Sequence, residues 1–309
     1  MQLFINGKQV RPDGQYSMTI YSPDGQVVGQ VADGNRKDIR DAVEAARACT
    51  TWWGKRTSYN RGQIMYYIAE NLDARREEFA ERIQIQTGRS IESCRDEVRV
   101  SIERLFAYAA YADKYGGSIQ ETPIYGVTMQ IREPIGVMAI VCPDEFPLLG
   151  FVSLFAPAIC RGNCIVIVPS EKSPLCATDL YQVFETSDLP GGVVNIVTGC
   201  RDHLANLMAE HQNVHMFWYH GPAWEGSYFV EYLSALNCKR TWCSYGMPRD
   251  WMSRQEGEGP EFLHEAIDYK VRDPCLLVLS MAAFVFCARG GADRCCARSL
   301  QNIWIPYGE

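Results

Sequence analysis

From Leu3 to Val10 apolar and polar residues alternate, and a second alternation runs from Ile20 to Val31 around the turn Ser22-Pro23-Asp24-Gly25. A period of two marks short strands, here a meander ahead of the main body of the chain. The period then changes. Ile39, Ala42, Val43 and Ala46 recur at helical spacing behind Asn35, a residue suited to an N-cap, with Asp38 in the first turn. Three more helices are predicted over 60–72, 75–87 and 91–115. In the last of them Val98, Ile102, Leu105, Phe106 and Tyr108 form a stripe expected in the core. Gly116-Gly117 closes this helical block, and strands are predicted over 128–131 and 137–142. Strand and helix then alternate: strand 164–168, helix 177–186, strand 193–197, helix 203–210, strand 214–219, helix 224–236. Such alternation predicts an α/β fold with a parallel sheet and helices on both faces.

Composition narrows the function classes. The chain has 309 residues, 47% of them hydrophobic, which is ample for a large core and about two domains. A net charge of −7 offers no footprint for a polyanion, so nucleic acid is not an expected partner. The opening residues lack an apolar run of signal-peptide length, so a cytoplasmic protein is expected. Thirteen cysteines are many, but they are odd in number and scattered. Reduced thiols are expected rather than a zinc site or a disulfide framework. His203, His211, His215 and His220 fall in one helix–strand unit without a third ligand in view, and are expected at the surface. No GxGxxG follows a strand; Gly257-x-Gly259 lies in an acidic loop.

The most informative stretch runs from Arg132 to Gly199. It contains EPIGV, then PDEFPLLG, APAICRGNCIVIVPSEKSPL and LPGGVVNIVTG. This segment resembles the cofactor-binding half of the aldehyde dehydrogenase family, which reads roughly EPxGV, PWNFPLL, APALAAGNxVVxKPSExTPL and LPxGVVNxVxG. The scaffold letters are kept, among them Glu133, Pro134, Gly136, Pro143, Phe146, Pro147, Gly162, Asn163, Pro169, Glu171, Asn195 and Gly199. FINGKQV near the start, NVHMFWYHGPAWEG and NCKRTWCSYG extend the resemblance from about Leu3 to Gly246. It implies a Rossmann-like sheet domain with N-terminal helices and an oligomerisation hairpin, and no catalytic thiol domain.

At the positions where the family does chemistry, this chain differs. The resemblance puts Glu145 where an Asn amide should stabilise an oxyanion, and an ionised carboxylate only accepts. Asp144 stands for the preceding Trp, and Leu154 for a Lys in the following helix. Val168 replaces the Lys that holds the cofactor's ribose, although Glu171 remains. Gly221 is kept at the phosphate-facing helix, but Pro222 replaces its Ser and lacks an N–H. Ser244 replaces the general base. Nothing resembles the family's catalytic cysteine motif. Cys142 and Cys243 have no basic neighbour in sequence and are not expected to substitute for it.

PDE for PWN, VPSE for KPSE, PRDW and the ending NIWIPYGE resemble most closely the abbreviated C-terminal domain of two-domain family-16 aldehyde dehydrogenases. The expected organisation is 1–123 for N-terminal strands and helices, 124–142 for the hairpin entering the sheet, 143–246 for the Rossmann-like portion and 247–309 for the tail. The strand pair 125–131 and 137–142, with a terminal strand over 303–306, resembles the family's dimer-forming hairpin. Residues 271–301 differ in composition, and removing them would join Lys270 to Asn302 in the family's terminal-strand pattern. A translated retained intron fits Lys270-Val271-Arg272 and Leu300-Gln301 as donor and acceptor boundaries; loose packing is expected there. The apolar run from Cys275 to Ala288 is short of the ~20 residues that a membrane span needs.

Three functions follow from the resemblance. The first is a catalytically inactive relative serving assembly or partner contact, alone or as a homo-oligomer. The second is a piece of a longer NAD(P)-dependent aldehyde dehydrogenase whose active domain lies upstream and is this chain's partner. The third is a residual dinucleotide-binding module; no cofactor is expected beyond weak binding of the ancestral NAD or NADP. The Asp144/Glu145 charge is expected to oppose a pyrophosphate.

Overall fold

The computed structural model describes residues 2–114, 116–120 and 128–272. The described residues fall into two compact units, one within 2–113 and 134–266, the other from 114, 116–120, 128–133 and 267–272.

The first unit opens with a hairpin of β1 (Leu3–Ile5) and β2 (Lys8–Val10). Its turn residues Asn6 and Gly7 sit at φ 55° and 70°, the left-handed pair that a tight hairpin requires. A separate ribbon of β3 (Ser17–Tyr21) and β4 (Val27–Ala32) follows. Helix α1 (Arg36–Lys55) starts in a capping box: Asn35 accepts from the Lys37 and Asp38 amides, and Asp38 accepts from the Asn35 amide. Helices α2 (Ser58–Ala74), α3 (Arg76–Thr87) and α4 (Ile91–Tyr111) come next, with Gly88 ending α3 in the left-handed conformation. Val98, Leu105 and Tyr108 of the expected stripe are buried.

After β5 (Ser118–Gln120) and β6 (Thr128–Pro134) of the second unit, the α/β portion unfolds as anticipated. Its elements are β7 (Val137–Val141), α5 (Leu149–Cys160), β8 (Cys164–Val168), α6 (Leu175–Glu185), β9 (Val194–Ile196), α7 (Arg201–Glu210), β10 (Met216–Tyr219), α8 (Trp224–Ala235) and β11 (Arg240–Cys243). The sheet order is β11-β10-β7-β8-β9-β1-β2. The five strands from β11 to β9 run parallel, and the N-terminal hairpin adds to β9 antiparallel. Right-handed crossovers put α5 and α6 on one face; after the order reverses, α7 and α8 lie on the other, beside α1. Every residue of β7, β8 and α5 is buried. Two short helices, α9 (Arg254–Gly257) and α10 (Pro260–Glu265), complete this unit.

The second unit holds a sheet of order β12-β6-β5, with β12 spanning Ile267–Arg272. Strands β5 and β6 pair antiparallel through Ser118↔Gln130 and Gln120↔Thr128. Lys270 pairs with Glu133 at 2.8 Å. Among the described residues, 128–131 do not pair with 137–142: β8 and β10 hold both edges of β7 in parallel register. Residue 125, positions 273–301 of the atypical stretch and the terminal strand at 303–306 lie outside the described residues. Among the described residues no helix is long and apolar enough to cross a membrane.

Candidate functional site

In a doubly wound sheet the ligand crevice opens at the carboxyl ends of the strands, where the strand order reverses. Here the reversal lies between β7 and β10. Residues 142–148 follow β7, and residues 220–223 follow β10. The first loop is held firmly. The Cys142 backbone amide donates to the Val168 carbonyl at 3.0 Å. The N-terminus of α5 has no cap of its own, and Glu97 of α4 supplies one. Its buried carboxylate accepts from the Leu148 and Leu149 amides at 3.0 and 3.2 Å. Arg89 pairs with Glu97 and lays its guanidinium 5.1 Å from the Phe146 ring centre.

Asp144 and Glu145 do not act as a pair. Asp144 forms an ion pair with Arg201, the first residue of α7, and both side chains are at most 10% exposed. Ser170, just after β8, donates to the same carboxylate at 2.7 Å. The expected joint repulsion of an anion is therefore corrected: Arg201 neutralises Asp144, and Glu145 alone is exposed without an ion pair among the described residues. Leu154 is fully buried inside α5, and Val168 ends β8 at 1% exposure. Glu171 lines a groove of about 610 Å³ with Asp144, Glu145 and the β3 ribbon, beside Arg89 and Lys172.

Across the switch point, Tyr219 turns back beneath the first turn of α8. A Cβ built on Gly221 would lie 2.5 Å from its hydroxyl, and one on Gly226 would lie 2.0 Å from it. Burial pushes the Tyr219 hydroxyl up to about 12. Pro222 is exposed, and no side chain caps α8. Ser244 donates its amide to the Tyr219 carbonyl at 2.9 Å, and its hydroxyl lies 3.5 Å from the Gly221 carbonyl.

His220 corrects another expectation. His203 and His215 are exposed and His211 is half-buried, but His220 is only 4% exposed. It is the residue that leaves β10, so its ring enters an aromatic cluster, edge-on to Trp242 at 5.0 Å and Trp251 at 5.6 Å. Among the described residues neither ring nitrogen has a partner, and burial, helped by the nearby Arg249 charge, pushes the imidazole down to about 3. Arg249 itself sits 5.2–5.9 Å from the ring centres of Phe262, Trp242 and Trp251. The cavity remaining among Pro143, Glu145, His220, Pro222 and Ser244 is about 90 Å³.

Burial raises the Cys142 thiol well above its ordinary value, and burial together with Glu231 raises Cys243 to about 12. Neither sits as a poised nucleophile. Among the described residues no group of three His, Cys, Asp or Glu could hold a metal ion. Sequence reasoning missed Arg201, Ser170, Arg249 and Trp251. The signal for the first two was available: each lies at or just past the carboxyl end of a predicted parallel strand.

The model of the family described as the aldehyde dehydrogenase family matches residues 10–246. The chain belongs to that family. This aldehyde dehydrogenase relative is 30% identical over 249 residues to the NADP/NAD-dependent aldehyde dehydrogenase PuuC of Escherichia coli, covering 79% of this chain and 50% of that protein. It is 29% identical to betaine aldehyde dehydrogenase of Bacillus subtilis, covering 93% of this chain and 58% of that protein. A solved betaine aldehyde dehydrogenase of Staphylococcus aureus, in complex with NAD+, superposes with a TM-score of 0.75 at 26% identity, over 78% of this chain and 49% of that one. The chain thus spans about half the length of the curated relatives it matches.

Proposed function

We propose that this chain is a catalytically silent aldehyde-dehydrogenase-like protein with a scaffolding role in the cytoplasm. The observation that carries the reading is the Asp144–Arg201–Ser170 cluster across the carboxyl ends of β7 and β8 and the start of α7. It occupies with protein charge the edge where a dinucleotide would lie. Tyr219 fills the space under the first turn of α8, and Val168 offers no side-chain donor. The residues present do not fit a dinucleotide. Glu145 accepts hydrogen bonds where an oxyanion needs a donor. Titration calorimetry with NAD+ and NADP+ tests this. No saturable heat is expected, and no reduced nicotinamide should form on adding an aldehyde; saturable binding or turnover by the purified chain overturns the reading.

Assembly belongs to the same proposal. Trp224, Tyr228, Phe229, Tyr232 and Leu236 of α8 and its C-cap, with Tyr245 and Met247 nearby, are 43–78% exposed. Half-exposed aromatics of this size present roughly 700 Å² together, above the few hundred Å² typical of a monomer's largest patch and near the ~800 Å² that each partner of a stable complex buries. The stripe is symmetric about Val230, so an antiparallel second copy sets Trp224 against Leu236 and Tyr228 against Tyr232.

A second reading rests on the half-length match to relatives: the chain is a portion of a longer aldehyde dehydrogenase, with the active domain upstream. Sequencing the transcript discriminates the two, since this reading requires an in-frame first domain.

A further inference from the structure

The cavity at the switch point, about 90 Å³, is framed by Pro143 and Glu145 after β7, His220 and Pro222 after β10, and Ser244 and Trp251 past β11. Its polar groups are unevenly served. Asp144 pairs with Arg201 and accepts from Ser170. Arg249 donates to the Glu256 carbonyl at 3.0 Å and pairs with Glu261 at 3.3 Å. Arg249 is the one cation of the lining among the described residues, so the charge left unanswered there is the Glu145 carboxylate. His220 is a second, independent sign of a ligand. Only 4% exposed, it lines the cavity with both ring nitrogens unpartnered among the described residues. Buried polar atoms are almost always hydrogen-bonded, so this imidazole calls for a small polar complement. The buried ring is neutral, and one of its nitrogens therefore offers a lone pair. Ser244 supplies a third acceptor: its hydroxyl leans toward the Gly221 carbonyl at 3.5 Å, which leaves its oxygen able to accept.

We infer that this cavity binds a short primary ammonium ion, whose N–H groups are given to Glu145, His220 and Ser244. The inference goes beyond the proposed function and does not rest on it, since an amine can be held with no chemistry done. A primary ammonium carries three donors around one positive charge and no acceptor. Its charge answers Glu145, and its donors answer the three acceptors. Other ligands fit less well. An anion meets the repulsion of Glu145. A quaternary ammonium has no N–H to give to the buried imidazole. A metal ion would need more ligands, and among the described residues no group of three His, Cys, Asp or Glu could hold one. The volume limits the alkyl part to a few carbons, which the surfaces of Pro143, Pro222 and Trp251 receive.

The test follows the imidazole nitrogens of the isotope-labelled chain by NMR while methylammonium chloride is added at constant ionic strength and neutral pH. So small a ligand binds at best in the millimolar range, so the titration runs to about 0.2 M. One histidine, absent from the spectrum of His220→Phe, should shift at its accepting nitrogen and saturate. Glu145→Gln, at an exposed position, should keep the circular dichroism and weaken binding about tenfold, because a charged hydrogen bond becomes a neutral one. Ser244→Ala should weaken it less. If His220→Phe fails to fold, loss of the shift in Glu145→Gln identifies the ring. Tetramethylammonium and sodium, cations without an N–H, should leave the nitrogen unmoved. No saturable shift, an equal shift with tetramethylammonium, or wild-type affinity in Glu145→Gln overturns the proposal. Calorimetric binding of NAD+ would strike the silent reading alone and leave the amine result standing.

Discussion

At the scale of the residue, His220 shows how placement overrides composition. Four histidines in one stretch suggested solvated side chains, yet the one at the end of β10 points its imidazole among Trp242 and Trp251 with both nitrogens bare. Folding therefore requires the neutral form. In the folded chain the imidazole titrates at about 3, against an ordinary value of 6.5. Below pH 6.5 the unfolded chain binds a proton here that the folded chain refuses, so stability falls as pH falls through that window. The expected loss is about 1.4 kcal/mol per pH unit from this group. Comparing urea unfolding at pH 7 and pH 5 checks it: His220→Phe should flatten that part of the slope. The same scale separates Asp144 from Glu145. Adjacent in sequence, one is consumed by Arg201 and the other faces solvent, a division no count of acids could reveal.

At the scale of the element, α5 depends on a borrowed cap. Leu148 offers its first turn nothing, and Glu97 of α4 accepts both free amides in a fully buried position. Glu97→Ala should cost about 3 kcal/mol in denaturant unfolding, since charged hydrogen bonds are lost and buried N–H groups go unpaired. Hydrogen exchange should quicken at the Leu148 and Leu149 amides, while the α1 capping box stays protected. Most elements were legible: α1 and its Asn35 cap, the stripe of α4 and the alternation from β8 to α8 all follow the predicted periods. Periodicity had nothing to say about α5, because all twelve of its residues are buried and no polar face marks a period of 3.6. β5, α9 and α10 are too short to establish a period. The site was legible as a set of loop positions, but its closure was not. Arg201 reaches Asp144 across 57 residues, and such pairings leave no local trace.

At the scale of the whole molecule, the feature with the most to do is the aromatic face of α8. Glu225 and Glu231 flank it, and an antiparallel pairing about Val230 sets each opposite an apolar or small residue of the second copy rather than a like charge. The chain should therefore run as a dimer in light scattering after size exclusion. Tyr228→Glu combined with Tyr232→Glu should shift it to monomer with unchanged circular dichroism; an unshifted mass would show that α8 is not the contact.

The margins of the large sheet are unequal. On one side β11 ends the array with four half-buried residues. On the other, residues 3–10 fold as a ribbon that pairs with β9 through Phe4↔Ile196, with Leu3, Phe4 and Ile5 buried. That ribbon is a selvedge. Trimming it would uncover a row of unsatisfied amides and carbonyls beside an apolar strand, the template on which chains stack end to end. Protection of that sheet margin thus rests on residues 3–10, a hairpin well apart in sequence from the loops at the carboxyl ends of the parallel strands.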